Sequence, residues 1–140
     1  MGQITPTKLQ PKTKILKVHC HITNYNFLID TGSTVSIIPA NKFDDTETDG
    51  ILYAANNTKI FTKGQKTLKI NLGLGRTYTH EFIVANINQP IIGADFLSNF
   101  RILINIYEHK IYDEITGRNT NTYQSDSSIA NIKTTTNRQM

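Results

Sequence analysis

One carboxylate in this chain stands where chemistry could be done. Asp30 follows the apolar run Phe27-Leu28-Ile29 and is followed at once by Thr31, Gly32 and Ser33. The apolar lead-in predicts a buried strand, which would carry Asp30 into an interior or a cleft. Water solvates a surface aspartate without help, whereas a buried aspartate needs donors and has a shifted pKa. Thr31 and Ser33 place hydroxyl donors beside the carboxylate. Gly32 removes a side chain where another backbone, or a substrate, must come close. A strand-end aspartate that merely caps a turn is the blander reading of Asp-Thr-Gly alone. The full string, with Val35-Ser36-Ile37-Ile38-Pro39 close behind it, is more specific and favours a functional acid.

A second signal lies at Ile91-Ile92-Gly93-Ala94-Asp95-Phe96-Leu97. Two β-branched residues run into a glycine, and an aspartate precedes a predicted helical stretch, Phe96–Phe100. Asp95 reads as a helix cap or a salt-bridge partner rather than a catalyst, with Arg101 as one candidate partner. His19 and His21 flank Cys20 and would share one side of a strand, but no acid adjoins them in sequence, so no metal is assigned. Cys20 reads as a core or surface residue and not a nucleophile. Gly73-Leu74-Gly75 lacks the remainder of a phosphate-binding loop. No cofactor is expected.

The elements that must position Asp30 read as short strands. Residues 14–22 partly alternate, Thr23–Asn26 turns, and Phe27–Ile29 returns, so a hairpin delivers Asp30 to its end. Residues 34–39 form another β-branched run closed by Pro39. Ala40–Phe43 reads as a helical turn, and 44–50 as an acidic, solvated loop. Ile51–Ala55 and Lys59–Thr62 flank the polar tip Asn56-Asn57-Thr58 as a second hairpin. Lys63-Gly64-Gln65 is expected to turn. Strands follow at Lys66–Leu72, Tyr78–Val84, Ile102–Ile106 and Ile111–Tyr112. Many short strands, frequent turns and one short helix near the end predict an all-β, barrel-like domain. It is expected over residues 14–115, after a polar arm at 1–13 and before a polar, disordered tail or linker at 116–140.

The 140 residues suffice for one domain with a modest core. The balance of 15 basic against 11 acidic residues is mild, and the lysines are dispersed, which argues against nucleic acid as a partner of this domain. A single cysteine excludes an intrachain disulfide and a Cys-rich zinc site. The apolar runs are far shorter than a membrane span, and the start has no apolar signal-peptide core.

These motifs resemble a known family. Leu28-Ile29-Asp30-Thr31-Gly32-Ser33, Ala55-Asn56-Asn57-Thr58 and Ile91-Ile92-Gly93-Ala94-Asp95-Phe96-Leu97, in that order and spacing, look like a retropepsin, the dimeric aspartic protease of retroviruses and LTR retrotransposons. The wording is most similar to the protease domain of Ty3/Gypsy-type Pol polyproteins. Where that family usually has Ala-Asn-Gly-Thr, this chain has Asn57, which tolerates the left-handed conformation.

The resemblance implies a closed retropepsin-like barrel with one short C-terminal helix. It implies an aspartic endopeptidase acting on a retroelement polyprotein in the cytoplasm, inside a particle or precursor. Such enzymes need two carboxylates sharing a proton around one water, because like charges at contact distance cannot both ionise. This chain has one Asp-Thr-Gly. Neither Asp95 nor Asp113 is followed by Thr-Gly, so a symmetric homodimer is expected, each chain giving Asp30. By resemblance, Thr31 would bond across the twofold axis, Gly32 would leave room for substrate, and Ser33 would bond the outer carboxylate oxygen. Residues 55–58 would tip a flap that closes over an extended peptide, and Gly93 and Asp95 would support the active loop from behind. A non-catalytic peptide-binding or dimerisation module of the same fold, or a cellular retroviral-protease-like domain, stands as the alternative.

Overall fold

The hairpin that ends at Asp30 pairs β1 (Ile15–His19) with β2 (Asn26–Ile29), opposing Val18 and Phe27. Its turn is closed by Cys20 N–H donating to Tyr25 O and Asn24 N–H donating to Cys20 O, and Asn24 takes a positive φ of 66° that asparagine tolerates. The computed structural model describes residues 15–41 and 47–125.

Between β2 and β3 (Ile37–Pro39), neighbours in sequence, a third strand is inserted. This is β7 (Ile91–Ile92), parallel to β2 and antiparallel to β3. Two buried isoleucines therefore hold the segment 30–36 open as a loop between strands that would otherwise meet. On its far side β3 runs parallel to β6 (Tyr78–Ala85), which pairs with β5 (Lys59–Ile70), which pairs in turn with β4 (Gly50–Tyr53). The sheet order is β11-β1-β2-β7-β3-β6-β5-β4, where β11 is Tyr123–Ser125. A separate three-stranded sheet follows the order β10 (Asn119–Asn121), β9 (Lys110–Asp113), β8 (Ile102–Asn105).

Several expectations need correction. No closed barrel is found among the described residues: β11 and β4 end the large sheet without pairing to each other, and three late strands form their own sheet. The predicted turn at Lys63-Gly64-Gln65 is instead an irregularity inside one 12-residue strand, where the register shifts between Thr62 and Gln65 and Gly64 has φ +90°. An isolated glycine in a strand marks a bulge as readily as a turn. The helix α1 spans Ala94–Asn99, two residues earlier than expected at its start, and four strands follow it. The tail expected from residue 116 contains β10 and β11 up to Ser125, where pairing with β9 and β1 supplies what local composition lacks. The arm 1–13, residues 126–140, and parts of the helical turn at 40–43 and the loop at 44–50 lie outside the described residues.

Two cores result. The larger mixes aliphatic side chains with four fully buried aromatics, Phe27, Tyr78, Phe82 and Phe96. Truncating Phe96 to alanine would cost about 3–5 kcal/mol. The smaller is aliphatic. Ala54 and Ile60 of the β4–β5 hairpin pack with Ile37, Ala85 and Ile91, which seats one hairpin face beside the strands carrying the Asp30 loop.

Candidate active site

The Asp30 turn is fixed by backbone. Asp30 N–H donates to Ile92 O at 2.9 Å, Ser33 N–H donates to Asp30 O at 3.1 Å, and Gly32 N–H donates to Asp30 Oδ1 at 3.1 Å. Asp30 itself is half-buried, while Thr31 and Gly32 are exposed. Among the described residues, and apart from its two chain neighbours, a Cβ on Gly32 would meet Asp30 Oδ1 alone, at 3.4 Å, so glycine leaves open space here. The buried Ser33 hydroxyl donates to Val35 O at 2.7 Å. That corrects the expected bond from Ser33 to the carboxylate: a hydroxyl has one hydrogen, and here it tightens the loop.

Behind this turn lies the second motif. A Cβ at Gly93 would stand 2.4 Å from Val35 O and 2.6 Å from Ser33 O, so only glycine lets β7 pass under the loop. Ala94 N–H donates to Ser33 O at 2.7 Å. Asp95 lies in the first turn of α1 and is not its cap, since Gly93 occupies that position with no side-chain bond. Its carboxylate accepts from Ser36 Oγ at 2.7 Å and Phe96 N–H at 2.7 Å on Oδ1, and from Ser36 N–H at 3.2 Å and His80 Nε2 at 3.1 Å on Oδ2. Ser36 Oγ in turn accepts from Gly93 N–H at 2.9 Å. Arg101, the partner expected for Asp95, pairs with Glu114 at 3.2 Å instead.

At the hairpin tip, Ala54 N–H donates to Thr58 O and Asn57 N–H to Ala54 O, both at 2.9 Å, and Thr58 N–H donates to Asn56 Oδ1 at 3.0 Å. Asn57 has φ 66°, as its residue type allows. Ala55, Asn56 and Asn57 are exposed. The structure thus brings Asp30, Thr31, Gly32, Ser33, Gly93 and Asp95 into one unit, while the bonds at tip 55–58 close on the tip itself.

Burial and partners together shift Asp113, an acid that lacks a following Thr-Gly. Burial alone would raise its pKa. The Arg76 guanidinium at 2.6 Å, the Tyr78 hydroxyl and the backbone N–H groups of Ile115 and Thr116 outweigh that and hold it at about 2. Tyr78 is pushed well above the ordinary tyrosine range by burial and then by Asp113. The one local cue was a strand-end Asp ahead of Gly117, a turn signature that says nothing of Arg76, 37 residues away. Among the described residues no group of three His, Cys, Asp or Glu could hold a metal ion, and no helix is long and apolar enough to cross a membrane.

Comparison with known proteins agrees with this geometry. The family model "Retroviral aspartyl protease" matches residues 10–105. The retroviral protease-like domain of Ddi1 from Leishmania major is similar in structure, with TM-score 0.58 and 18% identity over 83% of this chain and 98% of that one. The EIAV protease, solved with the inhibitor HBY-793, gives TM-score 0.50 and 18% identity over 70% of this chain and 96% of that one. No curated protein sequence matches significantly. With its Asp-Thr-Gly turn and the glycine-backed loop behind it, the chain belongs to the retroviral aspartyl protease family.

Proposed function

We propose that the chain is an aspartic endopeptidase that works as a homodimer and cleaves a retroelement polyprotein of Gag-Pol type. The observation that carries this is the single Asp30-Thr31-Gly32 turn, presented outward with its glycine space unfilled. One carboxylate takes a proton from the attacking water, and its protonated twin polarises the scissile carbonyl. Neither acid can fill both roles, so a second Asp30 must come from another copy. Thr31 then bonds across the twofold axis. Substrate lies extended and strand-like, with the 55–58 tip closing over it to exclude water.

A strand edge left unpaired among the described residues supports the dimer. β8 ends the three-stranded sheet and follows α1 directly, and Leu103, Ile106 and Tyr107 on and after it are exposed. A second copy added there would cover these apolar groups and continue the sheet. The compartment proposed is the cytoplasm, within the retroelement particle or its precursor. A second reading, a cellular retroviral-protease-like domain, is favoured by the wider match to the Ddi1 domain.

The test is a cleavage assay at mildly acidic pH with wild type and Asp30→Asn side by side, with and without a pepstatin-like inhibitor. Cleavage that needs Asp30 and yields to the inhibitor supports the proposal. Cleavage that survives Asp30→Asn sinks the mechanism. Peptide binding without cleavage would favour a non-catalytic module. Sedimentation over a dilution series tests the dimer, and a monomer at every active concentration would overturn it.

A further inference from the structure

We infer that His80 is a positioning residue for the catalytic turn, acting through Asp95 and Ser36; this rests on reading Asp30 as the catalytic acid. The residue belongs to neither sequence motif. It sits on β6 between Tyr78 and Phe82, on the same strand face, with its ring edge-on to Phe82, Phe96 and Phe100 at centroid distances of 5.2, 5.1 and 5.8 Å. The ring is thus pinned by aromatic packing, and its side chain is 12% exposed. Its Nε2 meets Asp95 Oδ2 at 3.1 Å. A carboxylate only accepts, so Nε2 carries the hydrogen.

From there the bonds run toward the active loop. Asp95 receives both the hydroxyl and the N–H of Ser36, and Ser36 Oγ receives Gly93 N–H. Gly93 lies against the carbonyls of Ser33 and Val35, and Ala94 N–H holds Ser33 O. Asp95 has four donors, and three of them, from Ser36 and Phe96, sit on rigid backbone or beside it. His80 is the donor that ties the carboxylate to a third element, β6. Without it Oδ2 keeps a single donor, and the carboxylate can rotate away from Ser36. The loop carrying Asp30 then keeps its backbone bonds to Ile92 and Ile83 but loses the side-chain brace that runs through Asp95. Small misplacement of a reacting group costs far more in rate than in affinity.

The test compares wild type, His80→Leu, which keeps apolar bulk between the rings, and His80→Gln, which restores a donor. Rates on fluorescein-labelled casein are expressed per active site titrated with a pepstatin-like inhibitor. Amide hydrogen exchange is followed in the same full-chain samples. His80→Leu is expected to lower kcat by about tenfold with KM within about twofold, and His80→Gln to recover at least half of the loss. Exchange at Ser33, Ser36 and Gly93 should quicken by about tenfold in the leucine variant, with Ile70 unchanged. Wild-type kcat and exchange in His80→Leu would overturn the proposal, as would equal loss in both variants. If wild type cuts nothing, the protease reading fails, while the exchange pattern still decides whether His80 holds the loop. Should His80→Leu not fold, the comparison of His80→Gln with Ser36→Ala decides: near-wild-type exchange in the first and a loosened loop in the second supports the proposal, and any other pairing overturns it.

Discussion

Asp30 and Asp113 are aspartates at strand ends in one small domain, and they are built in opposite ways. Asp113 is sealed: its side chain is fully buried, and Arg76, Tyr78 and two backbone N–H groups occupy its oxygens. Asp30 stands half-buried beside an exposed threonine and glycine, with Gly32 N–H on one oxygen. A saturated carboxylate has no lone pair left for a substrate or a water, so it can only stabilise. An open one contributes less to folding and keeps its oxygens for chemistry. Asp95, bonded four times yet 32% exposed, belongs with the structural acids.

The largest test of this contrast is Asp30→Asn. Cleavage should fall by about 10⁴-fold or more, while thermal unfolding stays close to wild type. A large drop in Tm would place Asp30 with the structural acids. The mirror experiment is Arg76→Met, which strands a buried carboxylate. We expect a loss of about 3–5 kcal/mol in denaturant unfolding, with kcat per titrated site within about twofold of wild type.

Acid unfolding sharpens the same point. The folded-state pKa of Asp113 is depressed from 3.8 to about 2. Its contribution is therefore complete above the unfolded value and is lost as pH falls through about 2. Stability of the wild type should decline over that window, and in Arg76→Met the decline should begin at higher pH, since a principal charge holding Asp113 ionised is gone. An unchanged acid limb would deny the pair its role.

Smaller effects test the loop and the tip. Gly93→Ala must push Val35 O or Ser33 O aside, at a cost of about 1–3 kcal/mol, with activity lost beyond what unfolding explains. Asn57→Ala at φ 66° should cost about 1 kcal/mol, and Asn57→Gly much less, in the same unfolding assay.

The open acid was legible in the sequence because its signals are local: an apolar strand, Asp-Thr-Gly, and a hairpin with a polar tip. Gly93 was legible for the same reason. The sealed acid was not, because its side-chain partners, Tyr78 on β6 and Arg76 in the turn before it, lie more than thirty residues away, and nothing near Asp113 announces them. His80 stayed hidden for that reason too, being an ordinary strand histidine until α1 lays Asp95 beside it. The closed barrel failed because strand order and edges depend on registers that alternation alone cannot fix. β10 and β11 were missed since Thr, Asn and Gln carry no apolar period, and these strands exist through their neighbours.

The pairing of β1 with β11 has a consequence for the time course of folding. Ile15 meets Ser125 across about 110 residues of chain, one of the most distant pairings a domain of this size can make. The β1–β2 hairpin can close as soon as it is synthesised, but the outer edge of β1 must wait for nearly the whole domain. A nascent chain therefore carries its Asp-Thr-Gly turn long before the sheet beneath it is finished. Among the described residues, the sheet that carries the turn is completed by a strand that emerges about a hundred residues after the acid.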